Sequence, residues 1–281
     1  MPATFLVVPQ WQGSGSSRAM RLIDGAEAIR GDLPRSATQL VDVPLGAGES
    51  LDTGIRRFSS IVAIRELAAA RLHETSGDVV TIGGDCGADL ASVAHAVAAR
   101  EPGSVALLWF DAHGDLNDAA SSTSGAFGGM ALRALLGDAP DGLAATPRER
   151  LAAEAVILAG TRSLDDAESA FIDERGIRMV SVDELAEPDA LLAAVASTGA
   201  TSVYIHVDLD VLDPATISGV GYPEPFGLQP ELLCELLRSL RSRFELAGAC
   251  VAGFAPESPD AAARDLPVIL RVLGALTAPL G

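Results

Sequence analysis

The composition of this 281-residue chain excludes several classes of protein. Hydrophobic residues make up 48% and charged residues 21%, which is enough for a large core and too apolar for a linker or tail. The 38 acidic and 20 basic residues give a formal charge of -18, which disfavours nucleic-acid and anionic-membrane partners and favours a cationic small molecule. We expect one domain spanning residues 1–281.

The residue types that are missing or rare narrow the chemistry further. The chain contains no lysine, so P-loop and Schiff-base mechanisms, which depend on a lysine, are excluded. Three cysteines are too few, and odd in number, for a disulfide framework, which indicates a reducing compartment. The first apolar run has no basic leader and is broken by Pro9, so it predicts a strand rather than a signal peptide. No run is long enough to span a bilayer, and we expect a cytoplasmic protein.

Short β-rich runs alternate with helical stretches along the whole chain. This alternation predicts an α/β fold in which helices wrap a parallel sheet of eight strands. An open three-layer α/β/α sheet and a closed barrel fit the pattern equally well. The predicted strands are residues 5–8, 39–43, 79–82, 105–110, 155–158, 178–181, 202–207 and 249–254, and the intervening helices include 61–71, 92–100, 231–241 and 267–276.

Two acidic motifs follow predicted strands at the point where each strand ends. Asp111, His113 and Asp115 come after the fourth strand, and Asp208 and Asp210 follow the seventh. Side chains two residues apart in extended chain share a face, so each motif can aim its polar groups in one direction. An isolated Asp-x-Asp is usually a turn, but four carboxylates brought together would repel each other unless cations held them. Two divalent ions roughly 3.5–4 Å apart would remove that repulsion and form a hydrolytic site.

Four further residues near the motifs allow more than one interpretation. Cys86, in the Gly-Gly-Asp-Cys-Gly-Ala-Asp stretch after the third strand, is either a small buried hydrophobe or a metal ligand. His206 precedes Asp208 by two residues and either supports a ligand or packs in the core. Tyr222 and Phe226 follow the second motif and could close a pocket, although core packing is the expected role of Phe226.

The stretch around Cys86, the Asp111–Asp115 motif and the Asp208–Asp210 motif occur in the same order as in the arginase/agmatinase (ureohydrolase) family. The chain resembles this family over about residues 82–256. The resemblance implies an α/β/α fold with an eight-stranded, mainly parallel sheet, two Mn²⁺ ions, and a bridging hydroxide that attacks a guanidine carbon. It further implies that Asp111 and Asp208 bridge the ions, that Asp115 and Cys86 complete one shell, and that His113 and Asp210 complete the other. Cys86 stands where the family normally has histidine, and a softer thiolate would also admit zinc or another divalent metal.

The same resemblance assigns contacts to the two ends of an amino-acid substrate. It places Asn117, Ser122 and Ser124 at the α-carboxylate, and Asp165 and Glu168 at the α-ammonium. Considered alone, the acidic stretch from Asp165 to Glu168 is just as typical of the first turn of a helix. Agmatine and guanidinobutyrate each lack one of these ends, so we expect a small guanidino amino acid as substrate.

Two departures from the family pattern refine the expected substrate. Gly253 stands where the family usually has a glutamate that faces the guanidinium, and Gly128 where arginases have a histidine that moves protons. Losing a carboxylate that faces a permanent cation should cripple hydrolysis of ordinary arginine. A hydroxylated guanidine is much less basic and can enter neutral. The expected reaction is therefore hydrolysis of Nω-hydroxy-L-arginine to hydroxyurea and L-ornithine, as in antibiotic biosynthesis, with Asp115 carrying the proton to the departing ornithine nitrogen.

Two alternatives remain at this stage. The chain could be an ordinary arginase or another ureohydrolase, or a homologue that binds metal without catalysis. A homo-oligomer is possible in each case.

Overall fold

The computed structural model describes residues 3–75 and 77–279, and its centre is one parallel sheet of eight strands. The sheet order is β2-β1-β3-β8-β7-β4-β5-β6, so β2 and β6 form two open edges and the barrel alternative is wrong. The strands are β1 (Thr4–Val8), β2 (Thr38–Leu40), β3 (Val79–Gly83), β4 (Val105–Phe110), β5 (Val156–Ala159), β6 (Arg178–Val180), β7 (Ser202–Asp208) and β8 (Glu245–Ala252).

Helices cover both faces of the sheet, which confirms the predicted three-layer architecture. Alternate strand residues bury themselves in opposite layers: Phe5 and Val7 pack with one core, and Leu6 and Val8 with another. No helix within residues 3–75 and 77–279 is both long and apolar enough to cross a membrane. The helices are α1 (Arg21–Gly31), α2 (Phe58–His73), α3 (Leu90–Ala98), α4 (Ala131–Leu135), α5 (Asp166–Arg175), α6 (Val182–Leu185), α7 (Pro188–Ser197), α8 (Pro230–Arg243) and α9 (Pro259–Thr277).

Three of the predicted boundaries differ from the structure for an identifiable local reason. Strand β2 is an edge strand that pairs only with β1, and it ends at Leu40 rather than at residue 43. Strand β8 begins at Glu245, four residues before the predicted start, because it pairs with the whole of β7. Helix α9 begins at Pro259, where Ser258 accepts a hydrogen bond from the Ala261 N–H, so the predicted start at Pro267 is wrong.

The strand order brings the candidate motifs to one edge of the sheet. Strands β3, β8, β7 and β4 are consecutive neighbours, and all of them run in the same direction. Their carboxyl ends carry Cys86, Gly253, Asp208 and Asp111 respectively. Segments far apart in the sequence therefore meet at the end of the sheet where open α/β proteins bind ligands.

Helix α1 packs against this edge through one close backbone contact. A Cβ atom at Gly25 would lie 1.9 Å from the carbonyl oxygen of Phe254, the residue after Gly253. Gly31, at the end of the same helix, has nothing within 4 Å of the corresponding position. Only glycine at residue 25 allows α1 to approach the loop between β8 and α9.

These two glycines give a matched pair of substitutions. We expect Gly25→Ala to lower the free energy of unfolding by roughly 1–3 kcal/mol, because the new methyl group overpacks a buried backbone contact. Gly31→Ala should leave stability unchanged or raise it by up to about 1 kcal/mol, since alanine is the better helix former. Urea denaturation of the two variants and the parent measures the difference. Equal stability of the two variants would contradict the proposed contact.

Candidate metal centre and substrate cleft

All the predicted metal ligands lie in one cleft of about 660 Å³ at the carboxyl end of the sheet. The structure brings together a thiol, an imidazole and four carboxylates from three different loops. The carboxylates are almost fully buried, whereas His113 keeps 28% of its side chain exposed. The cleft is lined by Cys86, Asp111, His113, Asp115, Asp208 and Asp210.

These groups form two clusters that share one residue. In the first, Cys86 Sγ lies 3.2 Å from Asp208 Oδ2 and 3.9 Å from Asp111 Oδ2. In the second, His113 Nδ1 lies 3.3 Å from Asp111 Oδ1 and 3.1 Å from Asp210 Oδ2. Asp111 is therefore the residue that belongs to both clusters.

Three of the carboxylates divide their oxygens between two tasks. Asp111 Oδ1 accepts a hydrogen bond from the His113 N–H at 2.7 Å, and Asp208 Oδ1 accepts one from the Asp210 N–H at 2.9 Å. Asp210 Oδ1 accepts from the Ala112 N–H at 3.1 Å and so ties the two motifs together. In each residue one oxygen holds the following turn or the neighbouring motif, and the other faces the thiol or imidazole of the cleft.

The turn that carries Cys86 is held by the buried carboxyl group of Asp85. Its oxygens accept hydrogen bonds from Gln10 Nε2 and the Gly13 N–H, both at 2.8 Å, and from the Gly87 N–H at 2.9 Å. Burial raises the pKa of Asp85 to about 6 despite these bonds. Asp85 thus joins the loop after β1 to the loop after β3 and fixes where the thiol points.

The pKa values of three candidate ligands show that burying the negative charges of this cleft without a cation is unfavourable. Burial, followed by the neighbouring Asp210, raises the pKa of Asp208 to about 6, and burial and Asp111 raise the pKa of Asp210 to about 6. Burial lowers the pKa of His113, but hydrogen bonds with Asp111 and Asp210 outweigh it and raise the value to about 12. Each shift reduces the negative charge that the cleft would otherwise carry.

Asp115 and Cys86 are the groups most in need of a cation. Asp115 adopts a left-handed backbone conformation with φ of 52°, and its Oδ2 is buried without a hydrogen-bond partner in the described part of the chain. Burial and the nearby Asp111 raise the pKa of Asp115 well above its usual range. Burial, then Asp115 and Asp208, raises the pKa of the Cys86 thiol. A partnerless buried oxygen beside shared carboxylates fits a pair of divalent ions, since bound ions reverse the local effect of burial on pKa.

The predicted substrate residues line the same cleft as the candidate metal ligands. Asn117 Nδ2 donates to Asp165 Oδ2 at 2.7 Å, so these two side chains form one polar unit. Ser122 Oγ and Ser124 Oγ lie 3.4 Å apart and accept hydrogen bonds from the backbone of the same loop. The residues in the cleft are Asn117, Ser122, Ser124, Asp165 and Glu168.

Asp165 and Glu168 also form the helix start that their sequence suggested. They make a capping box at the beginning of α5, in which each side chain accepts from the other's backbone N–H. Glu168 is buried, and its second oxygen accepts from the Leu116 N–H at 3.1 Å. Both Glu168 oxygens are thus bound to backbone, whereas Asp165 is exposed to the cleft. The prediction that these residues begin a helix is confirmed, and both residues also line the cleft.

Two residues beside the candidate metal ligands, Glu224 and Arg162, were not predicted from the sequence. Glu224 Oε1 lies 3.9 Å from His113 Nε2 and accepts a hydrogen bond from Ser163 Oγ at 3.2 Å. Arg162 donates to backbone carbonyls that include those of Asp210 and Glu224, and so fixes both loops. Nothing in the local sequence marks these contacts, because their partners lie more than 45 residues away.

The two aromatic residues of this region have different environments. Tyr222 lines the cleft, and its ring centroid lies 6.1 Å from that of His113 in an edge-on arrangement. Phe226 is 83% exposed and has a φ of 64°, so the expectation that it packs in the core is wrong. Asp213, by contrast, accepts hydrogen bonds from the Ala215 and Gly227 N–H groups and is a turn residue.

The backbone differs at the two positions, Gly253 and Gly128, where the chain departs from the family pattern. Gly253 has a φ of 85°, and a Cβ atom there would lie 2.2 Å from Asp208 Oδ1. A side chain at residue 253 is therefore blocked both by conformation and by contact. At Gly128 the atom nearest to the position of an added Cβ is the Gly13 carbonyl oxygen at 3.4 Å, so that site has room.

The fold and the motifs of this cleft recur in known proteins. The arginase of Bacillus caldovelox is 31% identical over 230 residues, which are 77% of this chain and 75% of that protein. The N(omega)-hydroxy-L-arginine amidinohydrolase of Streptomyces lavendulae is 31% identical over 216 residues, or 75% of this chain and 73% of that protein. The solved structure of the B. caldovelox arginase superimposes with a TM-score of 0.84 at 25% identity and covers 99% of both chains.

A family model described as the arginase family matches residues 24–265, which include every proposed metal ligand. Since this match spans most of the sequence and the sheet agrees with that of a solved arginase, the chain belongs to the arginase family.

Proposed function

We propose that this protein is a binuclear-metal amidinohydrolase that cleaves Nω-hydroxy-L-arginine to hydroxyurea and L-ornithine. The choice of substrate depends on one observation, the geometry at Gly253. Its left-handed backbone and the 2.2 Å approach to Asp208 Oδ1 leave no room for the glutamate that the family places against a guanidinium. This geometry supports a substrate that requires no such carboxylate.

The chemistry of the guanidine group supports the same choice. Arginine carries a permanent positive charge, and bringing it into a closed site without a facing carboxylate leaves that charge uncompensated. A hydroxyl group withdraws electron density from the guanidine and lowers its basicity, so the hydroxylated substrate can enter neutral. Four of the carboxylates at the centre are the proposed metal ligands, which are not free to balance a second cation. Glu224, which lies 3.9 Å from His113 Nε2, accepts a hydrogen bond from Ser163 Oγ and is not among the residues that line the cleft.

The other end of the substrate has polar partners in the cleft. Asp165 is exposed there and can accept a hydrogen bond from the α-ammonium group, while Glu168 holds the Asp165 backbone through the capping box. Asn117, which donates to Asp165, lines the cleft together with Ser122 and Ser124, and these three residues are the proposed partners of the α-carboxylate. Binding both ends orients the guanidine carbon over the metal cluster.

The metal ions would be held by the two clusters already described. Asp111 and Asp208 would contribute to holding both ions, Cys86 and Asp115 would help to hold one of them, and His113 and Asp210 would help to hold the other. When bound, a pair of divalent ions supplies a water that is nucleophilic near neutral pH and positive charge that stabilises the transition state. We propose Mn²⁺ for both sites, with zinc or another softer ion competing at Cys86 because sulfur is a soft ligand.

Asp115 is the proposed acid–base residue. Its Oδ2 has no partner in the described part of the chain, so it can accept a proton from the attacking water and deliver it to the departing ornithine nitrogen. Glu224 lies behind His113 and would hold its ring in place through Nε2. Gly128 carries no side chain, so the scheme assigns no second proton carrier to that wall of the cleft.

The proposed specificity predicts a large difference between two substrates. With Mn²⁺ bound, we expect kcat/KM for Nω-hydroxy-L-arginine to exceed that for L-arginine by at least roughly 30-fold, because the missing charge partner is worth about 2–5 kcal/mol. Hydroxyurea and urea formation with the purified protein measure the ratio. The arginase of B. caldovelox is as similar in sequence as the hydroxyarginine enzyme, so ordinary arginase activity is the competing outcome. Equal rates would establish that alternative and overturn the proposed specificity.

The proposed ammonium contact can be tested with neighbouring acids on the same helix turn. We expect Asp165→Asn to lower kcat/KM by roughly 10- to 100-fold, since a hydrogen bond to a charged group is worth about 1.5–3 kcal/mol. Asparagine also caps helices well, so the melting temperature should change little. Asp166→Asn is the control, because Asp166 is equally exposed but does not line the cleft. If both variants keep full activity, Asp165 does not bind substrate.

The raised pKa values in the metal-free cleft predict that stability falls as the pH rises. Asp208 and Asp210, with pKa values of about 6, and His113, with a pKa of about 12, bind more protons in the folded chain than in the unfolded chain. The free energy of unfolding should therefore fall from about pH 5 to pH 7.5, by on the order of 1–3 kcal/mol.

Thermal melts in EDTA across this pH range test the prediction. Asp210→Asn removes one of the groups and should flatten the slope. With saturating Mn²⁺ the slope should reverse, because metal binding displaces these protons and strengthens as pH rises. A metal-free melting temperature that rises with pH would contradict the predicted proton load.

A further inference from the structure

A buried imidazole lies directly beneath the candidate metal centre and has no role in the scheme above. His206 occupies β7 two residues before Asp208, so the two side chains lie on the same face of the sheet. It is 0% exposed and pairs in register with Trp109 of β4 and Cys250 of β8. The ring therefore sits in the core layer immediately below the ligands.

Three neighbours fix the orientation of this ring. His206 Nδ1 lies 3.0 Å from Asp89 Oδ2, and the other Asp89 oxygen accepts a hydrogen bond from the Tyr204 hydroxyl group. The indole ring of Trp109 stacks on the imidazole with a centroid separation of 3.5 Å and an interplanar angle of 7°. With a carboxylate accepting at Nδ1, that nitrogen carries the proton and Nε2 presents its lone pair.

That lone pair is buried and has no hydrogen-bond partner within the part of the chain that the structure describes. Leaving such a group unpaired is unfavourable, so its retention requires an explanation. Ligand atoms of His206, Cys86 and Asp111 all lie within 4.8 Å of one another. This spacing allows one ion to bond all three, since ligands about 2.0–2.4 Å from a shared metal lie at most twice that distance apart.

We propose that His206 Nε2 is a ligand of the ion beside Cys86, so that β7 supplies the imidazole that the loop after β3 lacks. The inference rests on the proposed binuclear centre. Asp89 is then the carboxylate that orients a metal-bound histidine, an arrangement common to protein metal sites.

This assignment changes the expected character of that ion. Its ligands become a thiolate, an imidazole and carboxylates, a set that favours zinc, iron or cobalt over manganese more strongly than carboxylates alone do. The other ion keeps His113 and the carboxylates. The two sites should therefore differ in metal preference, although they share Asp111.

NMR of protein loaded with ¹¹³Cd²⁺ and labelled with ¹⁵N-histidine tests the assignment directly. We expect coupling between one cadmium ion and His206 Nε2, together with coupling between the other ion and His113. In His206→Leu the first coupling should vanish, and the dissociation constant of that ion should rise at least roughly tenfold or the site should stay empty. Asp89→Asn, which keeps the ring and weakens its orientation, should raise the same constant by roughly 10- to 100-fold.

Cys250→Ala is the matched control. Cys250, Asp89 and His206 also lie close enough to one another to hold an ion, but the proposal places no ion there. The substitution should leave the coupling and both dissociation constants unchanged. Cadmium coupled to Nδ1, loss of metal in Cys250→Ala, or two ions bound with parental affinity in His206→Leu would each overturn the inference. The last result would leave the binuclear centre intact, whereas a parent protein that binds no divalent ion would overturn the centre itself.

Discussion

The burial of four carboxylates in one cleft is the constraint on which the rest of this structure depends. Asp111, Asp115, Asp208 and Asp210 are each at most 6% exposed. Within residues 3–75 and 77–279, none of them forms an ion pair with an arginine, and His113 is the only basic side chain that pairs with the group. The Arg162 guanidinium, which reaches Asp210, donates to its backbone carbonyl instead. Protons or metal ions must supply the missing positive charge.

This constraint explains why so much of the surrounding structure consists of hydrogen bonds from backbone to carboxylate. The ligand motifs would repel one another in the absence of cations, so the chain fixes the geometry in advance through one oxygen of Asp111, Asp208 and Asp210. Asp85 does the same for the loop that carries Cys86. The second oxygens remain available, and the order present before metal arrives lowers the entropic cost of binding it.

The candidate metal ligands could be placed at one edge of the sheet from the sequence because parallel sheets impose a simple rule. A polar motif directly after an apolar strand must lie at the carboxyl edge, and β3, β7 and β4 proved to be close neighbours there. The rule says nothing about contacts between loops, so Glu224 and Arg162 were missed, and the pairing of His206 with Asp89 was missed for the same reason. The predicted helix at 267–276 is shorter than α9, which begins at Pro259 and contains Pro267 in its interior.

The conformation of Gly253 has a consequence for how this chain can diverge. Some glycine codons become glutamate codons through one base change, so by the genetic code alone the acidic residue of the arginases is a single mutational step away. The left-handed backbone and the contact with Asp208 Oδ1 oppose that step, because any side chain would displace a ligand before it reached a substrate. A glutamate at residue 253 would first require the loop after β8 to adopt another main-chain conformation.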